Sequence, residues 1–399
     1  MRSAHDVLDW LKIALTPGVG PANFFQLIQA FGTPDKILGA SEGEIQSVPR
    51  LKPDVIRDLI QTQEGGRDAE AKKEADRIEK LGISILTLKD SLYPKRLAHI
   101  PTPPPLLFYR GRIEEQDNHH FAIVGTRRCD SYGLRQTRTF AAELASAGLI
   151  VVSGLALGID TAAHRGALTA EGKTWAFLPG GFGKIYPPEN LSLAEEIAET
   201  GALISERPLD AQPLRTSFPA RNRLVSGVSA GVLVVQAPAK SGALITARLA
   251  MEQGRDVFAL PGRIDEPSSR GPHRLIQDGA KLALSSEEIL NELNLELDGV
   301  PAIVRRPRTQ RPILTRDSSQ TKRKRESSTP ETRGVRELAK SLSDPIDQRI
   351  VLRLEHGPVH SDRLSGYLDV PVKTVSERLL LLEMEGHVKR LPGMSFDLS

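Results

Sequence analysis

Two segments of the chain each run from an apolar strand directly into a glycine-containing turn that opens a helix. The first begins at Phe121 and passes through Gly125, and the second begins at Leu149 and passes through Gly154 and Gly158. In a parallel sheet with helices on both faces, such turns lie at the carboxyl ends of strands, where backbone amides and helix dipoles favour anions. The pattern predicts an α/β fold with an anion-binding site.

The alternation of strand and helix continues between residues 118 and 292. Short apolar runs are separated by amphipathic segments such as Tyr132–Ala147 and Gly242–Gln253. This order is typical of an extended, Rossmann-like, doubly wound sheet. The candidate strands are Phe121–Val124, Leu149–Val152, Thr174–Leu178, Ala202–Ser205, Gly231–Gln236 and Asp256–Ala259.

Composition divides the 399 residues into four regions. Helical apolar spacing before residue 115 predicts a small helical domain, in which Thr16–Ala22 resembles the turn of a helix-hairpin-helix motif; a plain interhelical turn remains the alternative. We expect the helical domain at 1–115, the Rossmann-like core at 116–297, a flexible linker at 298–343 and a winged helix at 344–399.

The linker is strongly basic although the whole chain carries a formal charge of only +3. Between Arg305 and Arg325 there are nine basic residues and one acid, Asp317. With its proline, serine and threonine content, this tract is typical of a solvated tether. The functional alternative is a sequence-independent clamp on a nucleic-acid backbone.

The C-terminal region reads independently as a winged helix. Ile346–Leu354, His360–Leu368 and Val372–Glu385 show helical patterns, and two short strands around a Pro-Gly turn follow. The third helix offers Lys373, Thr374, Ser376 and Arg378 to duplex DNA. Nearby glutamates make this surface almost neutral, so a role in protein contact is equally compatible with the pattern.

Other features narrow the class of protein. A single cysteine, Cys129, excludes an intramolecular disulfide, and the first residues lack the apolar region of a signal peptide. No apolar run reaches the length of a membrane span, so a cytoplasmic location is expected. His164 has no second histidine or cysteine nearby at metal-ligand spacing, so we expect no metal and no cofactor.

Four loops are expected to meet at one edge of the sheet because successive strands point the same way. Residues 125–128, 153–160, 179–188 and 240–246 contain glycines beside Arg127, Arg128, Lys184 and Lys240. Amides and cations together suit phosphate, although tight turns alone also require glycine. Within these loops, Asp160 either caps a helix or meets the ligand, and Phe182 and Tyr186 either stack on bases or cover their own loop.

The motifs then match a known family. Val-Gly-Thr-Arg, Ser-Gly-Leu-Ala-Leu-Gly-Ile-Asp, Pro-Gly-Gly, Phe-Pro-x-Arg-Asn-Arg and Ser-Gly-x-Leu-Ile-Thr-Ala occur in order between about 105 and 283. This series resembles the bacterial DNA processing protein A (DprA, also called Smf) family. The resemblance implies a non-enzymatic protein that binds single-stranded DNA, dimerises and loads the RecA recombinase during natural transformation. It also implies a sterile-alpha-motif-like N-terminal domain.

The loops and the resemblance together predict a DNA-binding set. The sequence departs from the family pattern at Thr126, where serine is common, and at Gln236, where an acid is common. The predicted residues are Gly125, Thr126, Arg127, Arg128, Ser153, Gly154, Gly158, Gly181, Phe182, Lys184, Arg221, Asn222, Arg223, Ser241 and Gly242.

Two other functions remain open from the sequence. Rossmann-like nucleotide hydrolases of the lysine-decarboxylase-like group share a Pro-Gly-Gly-x-Gly loop, but there it leads to a catalytic glutamate. Here Lys184-Ile-Tyr-Pro follows, and the first acid is Glu189, so we predict no catalytic residue. The other alternative is a structural adaptor, whose DNA affinity would reside in the basic tract and not in the glycine loops.

Overall fold

A computed structural model describes residues 4–293, 339, 342, 344–354, 359–368, 370–391 and 395–398. The chain divides into two compact units, residues 1–309 and 310–399. The basic tract that the sequence places in the linker lies outside the described residues. Among the helices of the described part, none is long and apolar enough to cross a membrane.

The first unit is built on a nine-stranded sheet with the order β1-β2-β6-β5-β4-β3-β7-β8-β9. Strands β3 to β9 are parallel to one another, whereas β2 is antiparallel to both β1 and β6. This confirms the predicted α/β class. The strands are β1 Ser84–Thr87, β2 Leu106–Gly111, β3 His120–Val124, β4 Ile150–Ser153, β5 Thr174–Phe177, β6 Ala202–Ser205, β7 Gly231–Val234, β8 Asp256–Ala259 and β9 Lys281–Leu282.

Helices flank this sheet or form the N-terminal region. The helices of the first unit are α1 Leu8–Leu15, α2 Pro21–Phe31, α3 Pro34–Leu38, α4 Glu42–Gln46, α5 Pro53–Gln61, α6 Asp68–Lys80, α7 Lys95–Ala98, α8 Ser131–Ser146, α9 Ile159–Thr169, α10 Leu191–Thr200, α11 Ser217–Val228, α12 Gly242–Glu252, α13 Arg270–Gln277 and α14 Ser286–Leu293.

The central strands are apolar throughout because helices cover both of their faces. In β3, Phe121 and Ile123 belong to the apolar cluster formed with α8 and α9, whereas Ala122 and Val124 belong to the cluster formed with α11 and α12. Alternate side chains of a strand point to opposite faces, so one short run contributes to two cores. This two-sided burial fixes the strand ends from which the loops emerge.

The helical prediction for the N-terminal region holds as far as α6, but the expected boundary at residue 115 does not coincide with the edge of the sheet. Strands β1 and β2, both before that residue, join the sheet through the pairing of β2 with β6. The apolar runs that form them were too short to be distinguished from helix or spacer by periodicity. The turn between α1 and α2 uses amides internally: Val19 N–H donates to Thr16 O at 3.1 Å and Gly20 N–H to Gly18 O at 3.0 Å.

The second unit is a winged helix, as predicted. Its helices are α15 Pro345–Leu354, α16 Ser361–Leu368 and α17 Val372–Met384, and its strands are β10 Val359–His360, β11 Val388–Leu391 and β12 Ser395–Leu398. In α17, Arg378 forms ion pairs with Asp347 and Asp344. The sequence pattern assigned the Arg378 guanidinium to duplex DNA. In the structure this group instead connects α17 to the start of α15.

Candidate nucleic-acid interface

A concave site lies where the winding of the sheet changes direction. From the central strand β3, the chain continues through β4, β5 and β6 on one side and returns to β7, β8 and β9 on the other. The loops after β3 and β7 therefore leave in opposite directions and open a crevice, the usual ligand position in such sheets. A pocket of about 380 Å³ occupies it, lined by residues that follow β3, β4 and β7 and by the starts of α11 and α12.

Nine of the fifteen predicted residues line this crevice, which we call the switch-point pocket. They are Gly125, Thr126, Arg127, Arg128, Gly154, Arg221, Asn222, Ser241 and Gly242. They come from four separate segments of the sequence and meet because parallel strands end at one edge. Lys240, which the sequence placed beside a loop but not in the predicted set, also lines the pocket.

The floor of the pocket is a buried ionic group. Arg221 is only 5% exposed and donates from Nη1 to Phe177 O at 2.5 Å. Burial lowers the pKa of Arg221 to about 10, with nearby Asp160 acting in the opposite direction. Burial likewise raises the pKa of Asp160, and Arg221 opposes that shift. Arg221 therefore stays protonated at neutral pH, beside the Asp160 carboxyl, which also lines the pocket.

A glycine makes room for this charge. A Cβ atom on Gly154 would lie 2.1 Å from Nη1 of Arg221, which is far inside van der Waals contact. A side chain at this position would therefore displace the Arg221 guanidinium from its bond to Phe177 O. Packing against Arg221 thus explains the glycine at position 154 without any ligand.

Several loop amides that the sequence assigned to phosphate already donate within the protein. Thr126 N–H donates to Gln236 O at 2.7 Å. Gly154 N–H and Ala156 N–H donate to Oδ2 of Asp160 at 3.1 and 3.4 Å. Asp160 thus neither caps its own helix nor extends freely to a ligand, because it ties the preceding loop together. Side-chain cations, more than these amides, remain available to an anion.

Three exposed cations surround the opening. Arg127, Arg128 and Lys240 line the pocket and are all exposed, and none of them takes part in an ion pair within the described residues. Three unpaired charges at the rim of a crevice attract an anionic ligand from solution. The long, exposed side chains can follow a phosphate backbone.

An aromatic pair adjoins the rim. Phe218, at the start of α11, lies 5.0 Å from the guanidinium carbon of Arg127 and meets the edge of Tyr186 at a centroid distance of 5.9 Å. Sequence reasoning considered Tyr186 but overlooked Phe218. The available signal was its position three residues before Arg221, because residues in the first turn of a helix at a strand-end crevice face the ligand side.

The remaining six predicted residues do not line the switch-point pocket. Arg223 donates to Thr102 O at 2.8 Å and is ion-paired with the buried Glu206. Phe182 is 9% exposed and belongs to the apolar cluster shared with the N-terminal helices, so it covers its own loop and offers no free face to a base. The six are Ser153, Gly158, Gly181, Phe182, Lys184 and Arg223.

Another of these six, Ser153, and the nearby residue His164 also have internal partners. Ser153 is buried and donates to Ile123 O at 2.7 Å. His164 is also buried, with Nδ1 2.7 Å from Oγ1 of Thr174, and burial lowers its pKa to about 3. Thr174 Oγ1 donates to Val151 O, so His164 is a neutral donor to the hydroxyl. This histidine joins α9 to β5 and is not a ligand-facing group. Lys184, by contrast, is exposed.

The parallel sheet and its switch-point crevice place the protein in the Rossmann-like class, and comparisons with known proteins identify the family. The family model for DNA recombination-mediator protein A matches residues 84–294, and the DprA winged helix domain matches residues 331–394. The first match covers more than half of the chain. The protein belongs to the DNA recombination-mediator protein A family.

Individual relatives agree with this assignment. Protein Smf of Synechocystis is 34% identical over 404 residues, which cover 97% of each chain. The DNA processing protein DprA of Bacillus subtilis is 44% identical over 213 residues, or 53% of this chain and 72% of that protein. The X-ray structure of DNA processing protein A from Streptococcus pneumoniae superposes with a TM-score of 0.64 and 34% identity, covering 73% of this chain and 98% of that chain.

Proposed function

We propose that this recombination mediator binds single-stranded DNA at the switch-point pocket and delivers it to the RecA recombinase without catalysing a reaction. One observation carries the DNA site: Arg127, Arg128 and Lys240 surround a pocket that has Arg221 at its floor and the Phe218–Tyr186 pair beside it. The family assignment supports the wider role in recombination.

The arrangement separates two recognition tasks. Rim cations attract phosphates whatever the base sequence, because counterion release depends on the backbone charge. An aromatic face next to a cation suits an unpaired base, and such stacking contributes about 1–3 kcal/mol per base. A duplex keeps its bases stacked on one another, so it forgoes this contribution. The site should therefore prefer single strands and show little dependence on base identity.

RecA delivery and a homodimer enter this proposal through the family resemblance. If the DNA binds along one edge of the β-sheet, the rest of the DNA strand stays accessible to a second protein. A recombination mediator requires such access. The proposed place of action is the cytoplasm, where incoming single strands meet the recombinase.

The proposal is tested by DNA binding across a salt series with the full chain. We expect tight binding of a single-stranded oligonucleotide and weaker binding of its duplex. Arg127→Ala should weaken single-strand binding by about ten-fold, or about 1.4 kcal/mol, and make the log–log salt slope shallower by about 0.7. Arg274→Ala is the matched control, because this exposed arginine pairs with Asp278 outside the pocket.

Other outcomes would replace the proposal. If the Arg127→Ala variant binds single-stranded DNA as tightly as the unmodified protein, the pocket is not the DNA site. Binding that depends on residues 298–343 would favour the adaptor function. Release of a free base or a nucleoside phosphate from nucleotides would favour the hydrolase. RecA assembly on single strands coated by single-strand binding protein should accelerate with the unmodified protein, and no acceleration would rule against delivery.

A further inference from the structure

The N-terminal helix α6 contacts the sheet region through the segment 208–211. Glu74, only 6% exposed, accepts a hydrogen bond at Oε1 from Leu209 N–H at 2.7 Å. One turn further on, Arg77 binds both carboxylate oxygens of Asp210 at 2.6 and 2.7 Å. A bidentate arginine–carboxylate pair fixes orientation as well as distance. The helix therefore determines the position of this segment.

The same segment holds the Pro-Gly-Gly turn. Gly181 N–H donates to Ala211 O and Gly183 N–H to Leu209 O, both at 2.8 Å. The Leu209 side chain is completely buried in the apolar cluster that includes Ala75 of α6. Helix α6, the segment 208–211 and the turn are thus connected by consecutive backbone and side-chain hydrogen bonds.

The Pro-Gly-Gly turn and the segment 208–211 are each followed in the chain by one residue of the aromatic pair. The chain continues from Gly183 to Tyr186 and from Ala211 to Phe218. These rings meet edge to face, and the Phe218 ring lies next to the Arg127 guanidinium at the pocket rim. A displacement of segment 208–211 would therefore move the two aromatic side chains relative to the rim cation.

We propose that the N-terminal helical domain is a positioning element for the DNA site, which it aligns through Glu74 and Arg77. This inference rests on the proposed function, since it concerns the same pocket. Glu74 and Arg77 do not touch DNA in this arrangement. They set the geometry of Phe218 and Tyr186, and through these rings the preference for unpaired bases.

The test compares two glutamates on one helix. Glu74→Ala removes the acceptor of Leu209 N–H, whereas Glu70→Ala removes an exposed partner of Arg67 one turn away. We expect Glu74→Ala to weaken binding of a single-stranded oligothymidine by about five-fold, and Glu70→Ala by less than about two-fold. Glu74→Gln keeps an oxygen acceptor and should restore most of the affinity.

A double-mutant cycle separates positioning from general destabilisation. In a background that carries both Phe218→Ala and Tyr186→Ala, we expect Glu74→Ala to change affinity by less than about two-fold, because the two rings that it positions are gone. An equal loss in both backgrounds would overturn positioning. Asp210→Ala is a second test of the positioning role. It should affect folding little, because the Asp210 side chain is 72% exposed. It should weaken single-strand binding and leave duplex binding unchanged, and thermal unfolding of each variant identifies loss of folded protein.

Failure of this inference is distinguishable from failure of the proposed function. If Arg127→Ala and Phe218→Ala leave the affinity for single strands unchanged, the pocket is not the DNA site and both proposals fall. If these two variants weaken binding while Glu74→Ala and Asp210→Ala do not, the DNA site stands and only the positioning role is wrong.

Discussion

Two loops that the sequence assigned to the same phosphate-binding edge make different contacts in this protein. Residues 125–128 line the switch-point pocket, with Arg127 and Arg128 at its rim. In the loop 179–188, Gly181 and Gly183 bind segment 208–211, and Phe182 enters the apolar cluster. Glycine indicates that something approaches the backbone closely, but not whether this is a ligand or another part of the chain. The two loops can be separated by experiment.

The largest effect is expected from the two phenylalanines. Phe182→Ala should lower the free energy of unfolding by about 3–5 kcal/mol, because it leaves a cavity in the apolar cluster. Phe218→Ala, at a half-buried position, should cost less stability than Phe182→Ala and instead weaken single-strand binding by about 1–3 kcal/mol. Denaturant unfolding and oligonucleotide binding of both variants measure the contrast. A stable Phe182→Ala variant with weakened DNA binding would return the 179–188 loop to the binding site.

A smaller contrast is expected between two glycines. A Cβ atom on Gly181 would lie 1.9 Å from Pro208 O, so Gly181→Ala should cost about 1–3 kcal/mol of stability. A Cβ atom on Gly242 would meet nothing within 4 Å, although this residue lines the pocket. Gly242→Ala should therefore keep full stability and weaken DNA binding if phosphate approaches there. Unchanged binding by that variant would place the DNA path away from the start of α12.

Strands of the parallel part of the sheet were predicted well because a local pattern of apolar residues determines them. A parallel strand covered on both faces is a continuous apolar run, and β6 and β8 occur at the predicted residues. The strands that escaped prediction depend on partners far away. β2 is recognisable only through its antiparallel pairing with β6, and β9 is a two-residue strand beside β8. Periodicity within so short a run carries no information about such pairing.

The candidate site was predicted in position but not in detail. The order of the motifs predicted that the loops meet at one edge of the sheet. The direction of each side chain depends on tertiary contacts, which a sequence motif does not specify. Arg221 and Arg223, two residues apart, illustrate this: one forms the pocket floor and the other pairs with Glu206. Gln236 gains a role that sequence did not suggest, since its Oε1 accepts from Asp130 N–H at 3.3 Å, at the start of α8.

The smallest and most diagnostic contrast concerns two exposed lysines. Lys240 lines the switch-point pocket from the loop 240–246, whereas Lys184 lies in the loop 179–188 and does not line the pocket. Because each phosphate contact on a single strand contributes about −0.7 to the log–log salt slope, Lys240→Ala should make that slope shallower by about this amount. Lys184→Ala should leave the slope unchanged, since a cation remote from the backbone releases no bound counterion. Both side chains are on the surface, so neither change should affect unfolding. If Lys184→Ala also makes the slope shallower, the DNA strand passes over the loop 179–188 as well, and the packing role of that loop would hold for its glycines but not for Lys184.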